Sequence, residues 1–422
     1  MRVQFLKKNT LSNTTLMVII QYLVKMKQMF YNRSVDTLTK LRALSINMAF
    51  EAAEDLTSSW QKSQPHDELR QLKERFPVTQ AHLPNGKTIP LLKTMQTSVC
   101  ERDCNYCVFR SGRNTQRVSL SPDELARAVV KLSEANIAQG VFLSSGILGG
   151  GIKTQDRIIA TAEILRKKYD YRHYIHLKIM PGAEKEQIYR AMQLADRVSI
   201  NLEGPNEDCL RKLAPHKVFF QELLEPIKII DTIRNNYSPR LAWKGTWPSS
   251  CTQFVVGAVG ESDFDLLHTT TQLQSTYHIA RAYFSGFSPV PNTPFENRPP
   301  LHAYRQHRLY QAFYLLRDYR FSFEEIQFSS SGNLDTEKDP KMVWAEANLS
   351  NHPVEINSAS YHQLIRIPGI GSITAKNILV NRSFHKIRDL QSLHKLGASA
   401  KRAARFILLD GQQPTYQLEL FK

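Results

Sequence analysis

Between Lys87 and Asp318 the sequence alternates six times between a short apolar run and a longer amphipathic one. This rhythm restricts the possible folds more than any other feature of the chain. KTIPLLKTMQ, GVFLSSG, YIHLKIM, RVSINLE, TQFVVGAVG and HIARAYFSGF have the length and the β-branched or aromatic content of buried strands. Helical patterns separate them. SPDELARAVVKLSEAN has Ser121 placed as N-cap, Pro122 at the first helical position and Glu124 where a capping box needs an acid. Further helices are predicted over 155–169, 183–195, 219–235 and 262–276, and the last βα unit ends near residue 318. Strands that each lead into a helix imply a parallel sheet covered by helices. Six such units predict an α/β fold, a partial (β/α)6 TIM-like barrel. Its active site would lie at the C-terminal ends of the strands.

The flanks differ from this core. Residues 1–30 carry Arg2, Lys7, Lys8, Lys25 and Lys27 and no acid. Their apolar run, Leu16 to Val24, is interrupted by Gln21 and is well short of the ~20 residues that span a bilayer. Residues 1–35 are expected to be a basic extension, disordered or preceding the true start at Met26 or Met29. Residues 36–86 read as a helical segment with Leu38, Leu41 and Leu44 at helix spacing. Residues 319–352, with SSSGNLDTEKDP, read as a linker. From 353 to 422 a second, all-α domain is expected. The stretch 351–422 holds ten Lys or Arg against four acids. The whole chain of 422 residues has a formal net charge of +16, which favours polyanionic partners.

There are five cysteines, three of them within eight residues. An odd number clustered in this way does not suit a disulfide framework and suggests metal ligation in a reducing, cytoplasmic compartment. Cys100, Cys104 and Cys107 follow a C-x3-C-x2-C spacing directly after the first strand of the alternation. A structural zinc site wants four ligands, and no partner pair stands elsewhere in the chain. Three thiolates on one loop suit three corners of an iron–sulfur cubane and leave the fourth iron open for chemistry. Cys209 and Cys251 are isolated and read as core thiols.

The spacing, with Tyr106 just before the last cysteine, resembles the radical S-adenosylmethionine (SAM) superfamily over roughly residues 88–290. The resemblance implies a [4Fe-4S] cluster on Cys100, Cys104 and Cys107, with SAM bound to the open iron. It also implies Tyr106 near the adenine, reductive cleavage of SAM to a 5′-deoxyadenosyl radical, and an electron donor such as flavodoxin or ferredoxin. The family's Gly-Gly-Glu-like turn after the second strand reads SSGILGGG here and lacks its acid. The resemblance therefore assigns methionine contacts to Ser144, Ser145 and Gly146. Asn201 and Glu203 in SINLE are candidates for the ribose or the methionine, and Lys178 for a carboxylate. Gly257, with Ala258 and Gly260, would let the adenosyl group approach the backbone. The acid or base acting on substrate is not legible.

INSASYHQLIRIPGIGSITAKNILVNR is a second signature. Asn357–Ala359 would open a helix, and Pro368–Gly371 would turn a hairpin with both glycines at positive φ. A helix from Ile373 to Arg382 would then offer its first N–H groups to a phosphate. This resembles the helix-hairpin-helix motif of DNA repair and recombination proteins. The resemblance places Gly369, Ile370, Gly371, Ser372, Thr374 and Lys376 on a nucleic-acid backbone. A degenerate second copy is expected in LQSLHKLGASAKRAARFIL, with Gly397 at its hairpin.

Together the two modules resemble radical SAM proteins of DNA modification or repair, a likeness that extends through FLSSG, HLKIMPGA, LRKLAPHK and SGFSPVPNTPFEN. The resemblance implies a radical enzyme acting on DNA. The alternatives are an RNA-modifying radical enzyme, a non-catalytic iron–sulfur protein that binds DNA or senses redox state, and a small-molecule radical enzyme.

Overall fold

The computed structural model describes residues 37–46, 48, 78–82 and 86–415. The N-terminal extension, and the helical segment beyond Ile46 save for Met48, lie outside the described residues up to the first strand. Two compact units divide the chain, one built from Met1–Ile200 with Phe220–Ser250, the other from Asn201–Phe219 with Cys251–Lys422. The seven strands of the main sheet are ordered as they occur in the chain.

In the first unit α1 (Thr37–Ile46) buries Leu41 and Leu44. Strand β1 (Val78–His82) pairs antiparallel with β2 (Thr88–Met95). Strands β3 (Gly140–Ser144), β4 (Tyr174–Lys178) and β5 (Arg197–Ser199) follow in parallel register. Helix α2 (Pro122–Glu134) starts with the expected box: Glu124 N–H donates to Ser121 Oγ, and Ser121 N–H to Glu124 Oε2. Helix α3 (Gly150–Glu163) begins five residues before its expected start and ends in a π-helical turn, Ile164–Lys168. Helix α4 spans Lys185–Leu194.

Strand alternation sorts the side chains into two faces. Leu92, Val141, Ile175 and Val198 form the buried apolar face, which the helices cover. On the opposite face Lys93, Phe142, His176 and Arg197 lie in one cross-strand row. One step towards the C-terminal ends come Met95, Ser144, Lys178 and Ser199. A parallel sheet with such a polar second face is what a barrel lined for chemistry requires.

In the second unit a short helix that the sequence pattern does not reveal, α5 (Glu207–Leu213), is capped by Asn206. The chain returns to the first unit for a π-helical turn, Phe219–Leu224, and α6 (Glu225–Asn236). The expected 219–235 helix is thus present, with a π-helical first turn that passes directly into α6 at Glu225, where Pro226 takes a first-turn position that needs no N–H. Strands β6 (Ser249–Val256) and β7 (Arg281–Gly286) are parallel, linked by α7 (Asp263–Tyr277), whose N-cap is Ser262. Helix α8 (Ala303–Asp318) packs Tyr310 and Phe313 edge-on against Phe284. This is the partial α/β barrel expected from the alternation. It has an antiparallel edge strand that the alternation did not show, since residues 78–82 precede the first βα repeat.

The tail begins with α9 (Pro340–Asn348), which falls within the stretch read as linker and contributes Ala345 to the core of the tail. Helices α10 (Tyr361–Leu364) and α11 (Ser372–Asn381) form one hairpin, and α12 (Leu390–Lys395) and α13 (Ala400–Ala403) the other. Strands β8 (Val354–Glu355) and β9 (Ile407–Leu408) clasp the two ends of the module. Ile356, Leu364, Ile367, Ile378, Leu393 and Phe406 fill one apolar core between the hairpins.

Candidate active site and nucleic-acid interface

The cysteine loop runs from the end of β2 to α2. Its backbone is fixed to the β3 end by three bonds: Gln96 N–H to Ser144 C=O (2.8 Å), Gly146 N–H to Thr97 C=O (2.8 Å) and Glu101 N–H to Ile147 C=O (2.9 Å). A second set comes from Arg117. Its guanidinium donates to the carbonyls of Ser98 (2.7 Å), Phe109 (2.8 Å), Arg110 (2.8 Å) and Arg113 (3.2 Å). Burial pulls the Arg117 guanidinium below its ordinary range, while the thiols of Cys100 and Cys107 oppose that shift. A fixed cation thus stands beside two of the three thiols.

The sulfurs also receive backbone donors. Ile147 N–H points at Cys100 Sγ (3.5 Å) and Phe109 N–H at Cys107 Sγ (3.4 Å). Among the described residues no three metal-binding side chains are grouped to hold a single ion. A cubane needs less convergence, since each thiolate binds a separate iron. Three thiols on one turn, two of them with N–H donors and a neighbouring guanidinium, fit such a cluster.

An acid from another segment bonds the SSGILGGG turn. Glu101, inside the cysteine loop, accepts from Gly149 N–H (3.1 Å) and Gly150 N–H (3.0 Å). Gly149 and Gly150 have φ of 75° and 90°, and the run opens helix α3 rather than forming a free loop. Gly146 has a packing role: a Cβ there would lie 2.2 Å from Val99 C=O. Ser145 Oγ donates to Gly146 C=O (2.7 Å). Ser144 and Ser145 are therefore buried at the foot of the cysteine loop, and Tyr106 lies within that loop, half-buried.

Lys178 ends β4, where Ile179 N–H donates to Ser199 C=O (2.8 Å). The Ser199 hydroxyl is buried with no partner among the described residues. Burial, followed by the charges of Arg197 and Lys178, holds His176 well below its ordinary pKa, so its ring is neutral. Phe142 packs against that ring at 4.4 Å between centroids.

In the second unit Asn201 and Glu203 are buried, and Glu203 is held at φ 65°, uncommon for a residue other than glycine. Its N–H donates to Gln253 C=O (2.9 Å), its C=O accepts from Val255 N–H (2.8 Å), and Oε1 pairs with Lys217 Nζ (2.8 Å). Among the described residues, Glu203 Oε2 and Gln253 Oε1 are buried acceptors with no donor. Orphaned acceptors at a strand end suit a ligand rich in hydroxyl groups. Gly257 is different from its expected reading. A Cβ there would lie 2.6 Å from Leu301 Cδ1, so at Gly257 the absent side chain makes room for Leu301.

The tail corrects several expectations. Ser360, with Gln363, caps the first hairpin helix; Asn357 instead bonds both the N–H (2.8 Å) and the C=O (2.9 Å) of Ile387. Only Gly369 of the two hairpin glycines has positive φ, 85°, whereas Gly371 is at −95°. Ile370 is in the core, and Thr374 is buried with its hydroxyl donating to Gly397 C=O (3.0 Å). Neither side chain is placed to touch a nucleic acid. Ser372 and Lys376 are exposed at the start of α11, where the first ladder bond is Ala375 N–H to Gly371 C=O (2.8 Å). The N–H groups ahead of that bond have no intrahelical acceptor. The second hairpin exists: Gly397 sits at φ 96°, and Ser399 N–H donates to Gly369 C=O (2.9 Å), joining the two turns.

Arg117 and Glu101 are not among the residues that the sequence singles out. An arginine seventeen residues past the first cysteine has no motif of its own. Glu101 could have been noticed as the one acid adjacent to Cys100.

The sequence model of the radical SAM superfamily matches residues 96–268, and that of the helix-hairpin-helix motif matches residues 350–407. The chain carries both domains. No curated protein matches it. Among solved structures, the FeFe-hydrogenase maturase HydG from Carboxydothermus hydrogenoformans is similar at 16% identity and TM-score 0.42 over 54% of this chain and 51% of that one. Methylornithine synthase (PylB) is similar at 14% identity and TM-score 0.41 over 54% of this chain and 61% of that one. The chain thus spans about half to three fifths of these two structures. Domains of the radical SAM superfamily bind a [4Fe-4S] cluster and SAM, in agreement with the fit of the thiol loop.

Proposed function

We propose that this protein is a radical SAM enzyme that modifies or repairs DNA by hydrogen abstraction. The reading is carried by one observation: the thiol loop, closed on itself by Arg117 and tied by Glu101 to the start of α3, occurs in the same chain as a paired helical hairpin with an open, cationic helix start. When bound, the cluster and SAM supply an electron and a 5′-deoxyadenosyl radical that takes a hydrogen atom from substrate.

The chain's own residues prepare for this. Cys100, Cys104 and Cys107 are the cluster ligands, and Arg117 holds their loop. Ser144 and Ser145 provide carbonyl and hydroxyl oxygens beneath that loop, and Tyr106 offers a ring to the adenine. Glu203 Oε2 and Gln253 Oε1 can accept from ribose hydroxyls, and Asn201 adds an amide beside them. The row of Lys93 and Arg197, with Lys178 above it, favours an anionic substrate such as a nucleotide. Ser372, Lys376 and the free N–H groups of α11 would hold a phosphate, which positions the protein without reading sequence.

The thiolate chemistry calls for a reducing compartment, the cytoplasm, and an electron donor such as flavodoxin or ferredoxin. Among the described residues no helix is long and apolar enough to cross a membrane.

The test is turnover of the anaerobically reconstituted protein with duplex DNA, single-stranded DNA or RNA, followed by mass analysis of the nucleosides. A mass change confined to DNA supports the proposal. A change only in RNA transfers the same chemistry to RNA, and no change in any polymer contradicts it.

A further inference from the structure

A cavity of about 290 Å³ opens beside the first hairpin, between Gly369–Gly371 and helix α8. This is close to the lower end of the roughly 300–1,000 Å³ range for ligand pockets, so it suits a single small group. Its α8 side presents Gln311 and Tyr314, with Tyr319 just past the helix end. Arg317 lies over the Tyr314 ring at 5.0 Å. On the other side Lys341 Nζ donates to Ile370 C=O (2.7 Å) and stands 4.8 Å above the Tyr319 ring. Asp339 also lines the space, but it is ion-paired with Arg402, so the pair adds no net negative charge.

Two half-buried tyrosine rings and an amide are the elements of a site for an unpaired base. The rings stack on a base of any identity, and Gln311, whose Oε1 accepts from Arg308 (2.8 Å), offers its amide N–H groups to the base edge. The surrounding stretch 351–422 is basic by ten charges to four, which draws in a nucleic-acid strand rather than an acidic-free apolar peptide.

We infer that this cavity receives one unpaired nucleotide of the strand whose phosphates the hairpin grips, so that the tail prefers single-stranded or locally opened nucleic acid over an intact duplex. The inference rests on the nucleic-acid reading above and adds to it the form of the substrate.

The experiment uses the full chain, a fluorescein-labelled single-stranded oligo(dA), the matching duplex, and an oligo(dA) carrying one 2-aminopurine. The native protein is expected to bind the single strand more tightly than the duplex and to quench the 2-aminopurine. Tyr314→Leu, which keeps apolar bulk on α8, is expected to weaken single-strand binding about tenfold, with duplex affinity unchanged. Gln311→Leu, away from the ring packing, serves as the second variant and is expected to reduce the quenching. If native protein binds both forms equally, or the variants leave single-strand affinity and quenching unchanged, the cavity is not a base site, while the phosphate grip still stands. If native protein binds no nucleic acid, both this inference and the nucleic-acid reading fall.

Discussion

At the scale of single residues, Arg117 is the side chain on which the cluster loop most depends. Its four carbonyl contacts span Ser98 to Arg113, so it closes the loop on itself around the three cysteines. Hydrogen bonds from a charged donor contribute about 1.5–3 kcal/mol each when buried. Arg117→Met keeps much of the aliphatic stem and removes all of them. Loss of partners outside the ligand shell weakens metal retention by about tenfold or more. The variant is therefore expected to fold, with far-ultraviolet circular dichroism unchanged, yet to retain little iron after reconstitution and desalting. Full iron content in Arg117→Met would show that the loop is ordered without it. Lys341 provides a second residue-scale prediction. Burial holds its amine down to about 7, with Asp339 opposing and Arg402 reinforcing the shift, whereas an unfolded lysine stays protonated to about 10.4. Between those values the unfolded chain binds more protons than the folded one, so stability rises with pH across that window. Below about 7 both states are charged, and the cost of burying the ammonium is felt in full. Lys341→Met should remove this slope, so that native protein gains in Tm relative to the variant as pH rises from about 7 towards about 10.

At the scale of elements, the two hairpin glycines are expected to respond differently to the same substitution. Gly369→Ala places a Cβ 2.5 Å from Ser399 C=O at a φ of 85°, so both backbone strain and a clash oppose it. At Gly371, φ is −95° and the nearest atom would be Tyr319 Oη at 3.5 Å, ordinary contact. Thermal unfolding should show Gly369→Ala lowering Tm by several degrees, with Gly371→Ala close to native. The sequence reading treated these glycines as equivalent because a G-x-G pattern does not say which residue turns the chain. Elements with a periodic signal were legible: all six predicted strands occur, and Ser121 caps its helix as its spacing implies. What was not legible depends on contacts distant in sequence. Strand β1 is identified by its pairing with β2, and α5 is too short to show a period. Ile370 reads as an exposed hairpin tip until the second hairpin is seen to cover it. The candidate site follows the same rule, since the three cysteines lie within eight residues and show as a motif, while Glu101 and Arg117 act on partners up to 49 residues away.

At the scale of the whole molecule, a formal charge of +16 and a basic tail explain attraction to a polyanion but carry no chemistry. The chemistry belongs to the first unit, where the cation, the N–H donors and the thiols of one loop are held against the β3 end. The second unit holds buried acceptors at Glu203 and Gln253 together with the paired hairpins. The radical SAM domain accounts for the thiol loop and the hairpin module for the basic tail, so the account stands or falls on whether this loop supports reductive cleavage. The direct measurement is anaerobic. Protein reconstituted with iron and sulfide is given dithionite and SAM, and 5′-deoxyadenosine is quantified beside a Cys104→Ala control. The account predicts 5′-deoxyadenosine and methionine in equal amounts from the native protein and none above background from the variant. A fully loaded cluster that leaves SAM intact, or equal product from Cys104→Ala, would contradict it.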